Sequence, residues 1–161
     1  MKIGMNVIER LVAVSLLPKE GSFATLRIIG DLKNKVGIKA EEYTTFDICD
    51  VLEDGTEIRV DKHGKRIATK DGIEVPIDGS KNKVGIKWNE QGNKEKEFDF
   101  MAKEMSLFAE QLRTLEKNVE YNKTLKEGKT PKPALEERHV SLYAKFVEEK
   151  EPETKENTEK K

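Results

Sequence analysis

Residues 54–80 read DGTEIRVDKHGKRIATKDGIEVPIDGS, and this stretch decides the fold class. Apolar and polar residues alternate in it, as at Ile58 and Val60, and Asp-Gly or His-Gly pairs separate the alternating runs. An Asp-Gly pair between alternating runs is the strongest short-range signal for a β-hairpin. The pattern predicts an antiparallel meander of about four to six short strands between residues 47 and 88. Because only one face of each strand is apolar, we expect the other face to be wet.

Helical spacing precedes and follows this region. In front of it, Asn6 and Glu9 form a capping box at the start of one helix, and Ser22 caps a second. A short third helix is expected at 40–46. Behind the meander, a last helix is expected to begin near Ala134. Between the meander and this last helix, apolar residues recur at steps of four and three and predict a long helix: Met101, Met105, Phe108, Leu112, Leu115 and Val119.

The predicted fold is therefore α+β. It has an N-terminal helical hairpin, an antiparallel β-meander, two C-terminal helices and a charged tail. We expect residues 1–147 to form a single domain in which 51–82 is an inserted β-unit. The tail at 148–161 reads EEKEPETKENTEKK and contains no apolar side chain except Pro152. Such a segment cannot bury enough surface to offset the entropy of ordering, so it is predicted to be disordered.

Composition excludes several classes of protein. The 161 residues include 30 basic and 31 acidic side chains and one cysteine, which argues against a globally basic nucleic-acid binder and against a disulfide scaffold. No run of about 18 apolar residues predicts a membrane span. Glu9 and Arg10 interrupt the N-terminal apolar run, so it predicts an amphipathic helix and not a secretion signal. We therefore expect a cytoplasmic protein whose Cys49 stays reduced.

No stretch of the sequence predicts catalysis or a cofactor. The spacing of a phosphate-binding loop is absent, and no cluster of Cys, His and carboxylates has the spacing of a metal site. A nucleophilic pair of Cys49 with His139 is conceivable, but nothing around Cys49 marks it as activated. We expect Cys49 to be a small buried residue and His139 to lie at the edge of a core. The sequence thus predicts no catalytic residue, metal or cofactor, and a protein that is not an enzyme.

A cluster of basic residues in the meander is the candidate site for a partner: Lys62, His63, Lys65, Arg66 and Lys70. Two interpretations of it stay open. Three helices followed by a basic hairpin is the order of a winged-helix nucleic-acid-binding domain. Against this, residues 53–87 contain eight basic and seven acidic side chains, and the third helix carries Glu41 and Glu42, which would repel phosphate. Binding of another protein is the favoured interpretation.

Three segments carry a resemblance to a known group: LLPKEGSFATLRIIGDL at 16–32, VGIKWNE at 84–90 and HVSLYAKFV at 139–147. They resemble small uncharacterised proteins encoded by phages and prophages of low-GC bacteria. The resemblance covers about residues 7–47, 84–110 and 134–147, and no catalytic residue comes with it. The chain departs from that pattern between Val51 and Asn82, where the group would have a direct short hairpin.

The resemblance implies an accessory protein of a bacteriophage or other mobile element, made in a bacterial host cell. The expected function is non-enzymatic protein binding, with a host factor or a phage component as the partner. A winged-helix-like nucleic-acid-binding protein is the alternative. Because the long helix at 101–119 must cover the core of its own chain, we expect a monomer or at most a weak dimer.

Overall fold

The computed structural model describes residues 1–126 and 128–148. The predicted tail at 148–161 lies outside the described residues, apart from Glu148. The chain forms two compact units. Unit 1 contains Met1–Ile3, Leu11–Val36 and the chain from Glu97 onward, and unit 2 contains Gly4–Arg10 and Gly37–Lys96. The assignment of residues 1–147 to a single domain with an inserted β-unit stays a prediction.

The chain has the mixed helical and antiparallel architecture that the sequence predicts. The helices are α1 (Val7–Leu16), α2 (Phe23–Val36), α3 (Ala40–Thr45), α4 (Ala102–Lys123) and α5 (Val140–Phe146). The strands are β1 (Lys2–Met5), β2 (Cys49–Leu52), β3 (Glu57–Val60), β4 (Arg66–Lys70), β5 (Ile73–Val75), β6 (Lys83–Lys87) and β7 (Lys96–Asp99). Short 3₁₀ turns lie at Glu90–Asn93 and Glu137–His139. None of the helices in the described ranges has the length and apolarity to cross a membrane.

The predicted caps form at the starts of the first two helices. The Asn6 N–H donates to Glu9 Oε2 at 2.9 Å, and the Glu9 N–H donates to Asn6 Oδ1 at 3.0 Å, which closes the capping box of α1. The Thr25 N–H donates to Ser22 Oγ at 3.2 Å at the start of α2. Each cap supplies an acceptor to a backbone donor that has no partner within its helix.

The predicted meander is a five-stranded antiparallel sheet in unit 2 with the order β5-β4-β3-β2-β6. One face carries a small apolar cluster: Leu52, Ile58, Ala68 and Val75. Neighbouring positions point to the opposite face, where Glu57 pairs with Arg59 and Lys87, each at 2.8 Å. The alternation predicts that this opposite face is wet, but Cys49 also lies on it, opposite Arg59, and is only 2% exposed.

Helix α4 supplies the core of unit 1 with the first half of its apolar seam. Three seam residues are completely buried: Met105, Phe108 and Leu112. The Phe108 ring lies 4.7 Å from that of Phe146 and 6.0 Å from that of Phe100, centroid to centroid. Met101 is 64% exposed because it occupies the N-cap position, before the first turn of the helix. Three of the six seam residues are thus buried within unit 1, while Leu115 and Val119 are half-buried.

A buried carboxylate joins α4 to α2 inside unit 1. Glu104 is 1% exposed, and its two oxygens each accept a hydrogen bond from Lys35 Nζ at 2.7 Å. The Met101 N–H donates to Glu104 Oε2, also at 2.7 Å. A charged group in a core is tolerated when it is paired with an opposite charge and hydrogen-bonded, and Lys35 and the Met101 N–H supply both.

The last helix begins later than Ala134, where the sequence predicts it. Residues 132–135 lie along α4: Asn122 Nδ2 donates to the Lys132 carbonyl at 2.7 Å and Asn118 Nδ2 to the Pro133 carbonyl at 2.6 Å. The Leu135 N–H donates to the Leu115 carbonyl at 3.1 Å. Because α4 binds these backbone groups, they are not available for a helical turn, and α5 begins at Val140.

Strands β1 and β7 form a two-stranded sheet that the sequence analysis does not predict. Each has four residues, and the Lys2–Glu97 pair that joins them spans 95 positions in the sequence. A strand this short carries little alternation of its own, so the pairing depends on a partner far along the chain.

A buried ion pair organises unit 2. Arg10 of α1 is 1% exposed and donates to Glu42 of α3 through both terminal nitrogens, at 3.1 and 2.6 Å. It also donates to the Gly37 carbonyl at 2.8 Å. Glu42 further accepts from the Lys39 N–H and from Lys96 Nζ, both at 2.9 Å. Burial acts to raise the pKa of Glu42, but the hydrogen bonds from Arg10, Lys39 and Lys96 outweigh it and lower the pKa from 4.5 to about 2.

We expect Glu42→Gln to destabilise the protein by about 3 kcal/mol at pH 7, because the buried Arg10 then loses the carboxylate that accepts from both of its terminal nitrogens. The folded-state pKa of Glu42 lies below its unfolded value, so its contribution is fully present above pH 4.5 and is lost as the pH falls toward 2. The free energies of unfolding of wild type and variant, measured with urea, should therefore converge as the pH falls through that range. The control Glu120→Gln removes an exposed pair with Lys123 and should change stability by less than about 0.5 kcal/mol. A pH-independent difference for Glu42→Gln contradicts the assignment.

The pairing of β2 with β6 allows a deletion that tests whether the β-unit is an insertion. Leu52 pairs with Lys83 and Val51 with Gly85, so replacing residues 53–82 with Asn-Gly joins two strands that are already neighbours. We expect this deletion variant to unfold cooperatively, at a lower temperature than wild type, because the apolar cluster of the sheet is lost. Circular dichroism during heating and dispersion of the proton NMR spectrum measure this. A variant without a cooperative transition shows that 53–82 is integral to the fold.

Candidate partner-binding site

The structure brings four of the five predicted site residues together in one turn. This basic turn joins β3 to β4, and all its side chains are exposed: Lys62, His63, Lys65 and Arg66. Lys70 lies at the other end of β4. Because a strand rises about 3.3 Å per residue, Lys70 is about 13 Å from Arg66 along the strand. The candidate set therefore divides into a compact turn and one distant lysine.

Asp61 holds the basic turn in a defined conformation. Its Oδ1 accepts hydrogen bonds from the His63 and Lys65 N–H groups, both at 2.8 Å, and the Asp61 N–H donates to the Lys65 carbonyl at 2.9 Å. Gly64 supplies the left-handed residue, with φ of 79°. The backbone hydrogen bond from Lys65 lowers the pKa of Asp61. The turn is thus ordered before any partner binds.

Apart from Arg66, which belongs to the basic turn, the basic residues of the sheet strands pair with carboxylates. Arg59 pairs with Asp47 at 2.7 Å, Lys83 with Asp50 at 2.6 Å and Lys87 with Glu57 at 2.8 Å. Within residues 1–126 and 128–148, no carboxylate lies within 4.0 Å of a basic side-chain nitrogen of the basic turn. The turn is therefore where the positive charge of the sheet region is not compensated.

Lys70 belongs to a different environment. It pairs with Asp54 at 3.4 Å, and Lys81 pairs with the same carboxylate oxygen at 2.5 Å. The hydrogen bond from Lys81 lowers the pKa of Asp54 strongly, so the carboxylate stays charged. These three residues line an open pocket of about 290 Å³ together with Leu52 and Val75. Asp78 also lines the pocket and pairs with Lys81 at 3.9 Å, so two positive and two negative charges cancel there. Lys70 thus lies in a neutralised cluster, apart from the basic turn.

A second pocket, of about 200 Å³, lies beside the basic turn and is not predicted by the sequence analysis. We call it the Tyr43 pocket; its lining includes Tyr43, Asp47, Arg59, Val60, Asp61 and Ile67. It forms where α3 packs against β3. Asp47 adopts a left-handed conformation with φ of 50°, which turns the chain from α3 into β2. The Thr44-Thr45-Phe46-Asp47 segment gives no periodic signal, so only the packed structure reveals the pocket.

Cys49 and His139, the two side chains considered above as a nucleophilic pair, are buried. Cys49 is 2% exposed, and burial raises the pKa of its thiol, which favours the unreactive protonated form. His139 is 3% exposed, burial lowers its pKa, and its Nδ1 accepts a hydrogen bond from the Glu136 N–H at 2.9 Å. This bond fixes His139 as a neutral ring that caps a 3₁₀ turn. Within the described ranges, no group of three or more His, Cys, Asp and Glu residues is placed to hold a metal ion.

We expect Asp61→Ala to loosen the basic turn without unfolding the sheet. Removing the acceptor should increase hydrogen exchange at the His63 and Lys65 amides by about tenfold or more, while amides of β2 and β6 keep their protection. In the control Asp61→Asn, the amide oxygen still accepts both hydrogen bonds, so protection should be close to wild type. NMR-detected exchange measures each amide separately. Unchanged exchange in Asp61→Ala means that Asp61 does not order the turn.

Comparison with family models, with curated proteins and with solved structures finds no match for this chain. The resemblance of residues 16–32, 84–90 and 139–147 to phage and prophage proteins therefore stays a prediction from the sequence. The basic turn and the Tyr43 pocket beside it are the features of the chain whose charge and geometry bear on its function.

Proposed function

We propose that this chain is a non-enzymatic accessory protein of a bacteriophage or other mobile element that binds another protein in the cytoplasm of the bacterial host cell. The partner is a host factor or a phage component, and the protein itself is a monomer or a weak dimer. The sequence resemblance supports the biological setting. The basic turn supports the binding activity and is the surface through which we propose that the partner is bound.

The proposal depends on one observation: the basic turn is ordered, and its positive side chains lack ion pairs within the described residues. Lys62, Lys65 and Arg66 are exposed and form no ion pair with any residue that the structure describes, whereas the other basic residues of the sheet are paired. Charges at the rim of an interface steer association toward a surface of opposite sign and accelerate binding. Because Asp61 orders the backbone beforehand, little conformational entropy is lost at the turn on binding. These properties suit an acidic surface on a partner protein.

The alternative is a winged-helix-like nucleic-acid-binding protein. The same basic turn lies at the tip of a hairpin that follows three helices, as a wing would. Two features of α3 weaken this alternative. Glu41 is exposed on that helix, and the six-residue helix has its Glu42 bound by Arg10. An exposed carboxylate on the helix that would enter the groove repels phosphate.

The test is affinity purification from a bacterial host lysate, with the full chain as bait. The turn variant, Lys62→Glu/Lys65→Glu/Arg66→Glu, should lose the bound protein. The control variant, Arg27→Glu/Arg113→Glu/Lys117→Glu, changes the net charge equally at exposed positions of α2 and α4 and should keep it. Binding should weaken by about tenfold or more between 50 and 200 mM salt, because the rim charges are screened.

Nuclease treatment separates the two candidate functions. A protein that is captured after nuclease digestion and lost in the turn variant supports protein binding. Capture that disappears with nuclease supports the nucleic-acid alternative. Equal capture by wild type and the turn variant places the interaction elsewhere on the chain and overturns the proposal.

A further inference from the structure

We infer that the Tyr43 pocket and the basic turn together bind an extended acidic segment of the partner that inserts one apolar side chain into the pocket. The inference rests on the proposed function and specifies the chemistry of the partner. The two features adjoin because Asp61 lines the pocket and also orders the turn, and Ile67 lines the pocket directly after Arg66. A segment that reaches both would place an apolar anchor and its acidic neighbours within a few residues.

The lining of the pocket suits an apolar anchor. Tyr43 and Ile67 are half-buried, so each keeps apolar surface that a ligand can cover. The Tyr43 hydroxyl has no hydrogen-bond partner within the residues that the structure describes, which leaves a polar group at the mouth for a backbone carbonyl or amide of the bound segment. Pockets that combine a tyrosine with apolar walls are typical of interface hot spots. A volume of about 200 Å³ accommodates one apolar side chain.

Positive charges outnumber negative ones at the edge of the pocket. Asp47 is paired with Arg59 at 2.7 Å, whereas Asp61 accepts from two backbone N–H groups and keeps its negative charge. Beyond the rim stand Lys62, Lys65 and Arg66, for which the described residues supply no ion pair. Three positive charges thus face the single charge of Asp61, and acidic residues that flank the apolar anchor would meet a net positive field.

The tail of the chain itself does not match this chemistry. Residues 148–161 have a net charge of −2, but four lysines are interspersed among the acids and Pro152 is the sole apolar residue. Strand β6 of a second copy of the chain does not match this chemistry either. Lys83 and Lys87 at its two ends carry the same positive charge as the basic turn and would be repelled by it. A separate partner with an acidic, apolar-anchored segment is the occupant that the charge pattern selects.

The experiment is selection of a random twelve-residue peptide library on the immobilised full chain, followed by fluorescence polarisation with the enriched peptides. We expect a consensus of one Leu, Ile, Phe or Met flanked by Asp and Glu. The turn variant should bind these peptides at least about tenfold more weakly, and so should Ile67→Glu and Tyr43→Ala. Ile73→Glu is the matched control: Ile73 is 69% exposed on β5, and its substitution should leave affinity unchanged within about twofold.

Amide chemical-shift changes in the wild-type protein keep the test independent of how the variants fold. Bound peptide should shift Tyr43, Val60 and Ile67 together with the basic turn. Acidic peptides that need the turn but neither the apolar residue nor the pocket overturn this inference and leave the proposed function standing. Peptides that shift neither the turn nor the pocket argue against both. Stronger binding of a DNA or RNA oligonucleotide than of any selected peptide overturns the inference in favour of nucleic acid.

Discussion

The guanidinium of Arg10 cannot be buried in unit 2 without Glu42, and this requirement constrains much of the unit. An unpaired charge at that depth would cost several kcal/mol, so α1, the Gly37 carbonyl and α3 must meet for the unit to be stable. Lys96 binds the same carboxylate, which draws in the start of β7. The position of α3 then decides what lies against β3, and the Tyr43 pocket is the space left between them. A salt bridge with no part in binding thus sets the geometry of the candidate site.

Local periodicity predicted the elements whose stability depends on near neighbours. The meander, the capped starts of α1 and α2 and the long α4 all follow from patterns within a few residues of each other. Strands β1 and β7 and the late start of α5 depend on partners elsewhere in the chain. The heptapeptide KNKVGIK shows the limit directly: at 33–39 it includes the end of α2, and at 81–87 it includes β6. The same seven residues adopt two structures because their surroundings differ.

The sequence identifies the basic residues of the candidate cluster, but it does not show which of them lie together in the structure. Clustering along the sequence placed five basic residues together, and four of them share the basic turn. Lys70 fell outside because strand register brings it to Asp54, which is 16 positions away, and Lys81 reaches the same carboxylate from 27 positions away. Which lysines are neutralised is a property of the register, and composition does not contain it. Within the described residues, no carboxylate pairs with the basic turn, which lies at the end of the sheet where β3 turns into β4.

The pairing of β1 with β7 has a consequence for the order of events during synthesis. Lys2 and Glu97 are separated by 95 positions, and a ribosome adds about 5–20 residues per second, so β1 waits roughly 5–20 s for its partner to emerge. The hairpins of the five-stranded sheet close between near neighbours and need no such delay. Arg10 must also wait, since its partner Glu42 lies 32 positions downstream, and Lys96, which binds the same carboxylate, emerges later still. The nascent chain therefore exposes Arg10 to water for seconds, although this side chain is 1% exposed in the folded protein.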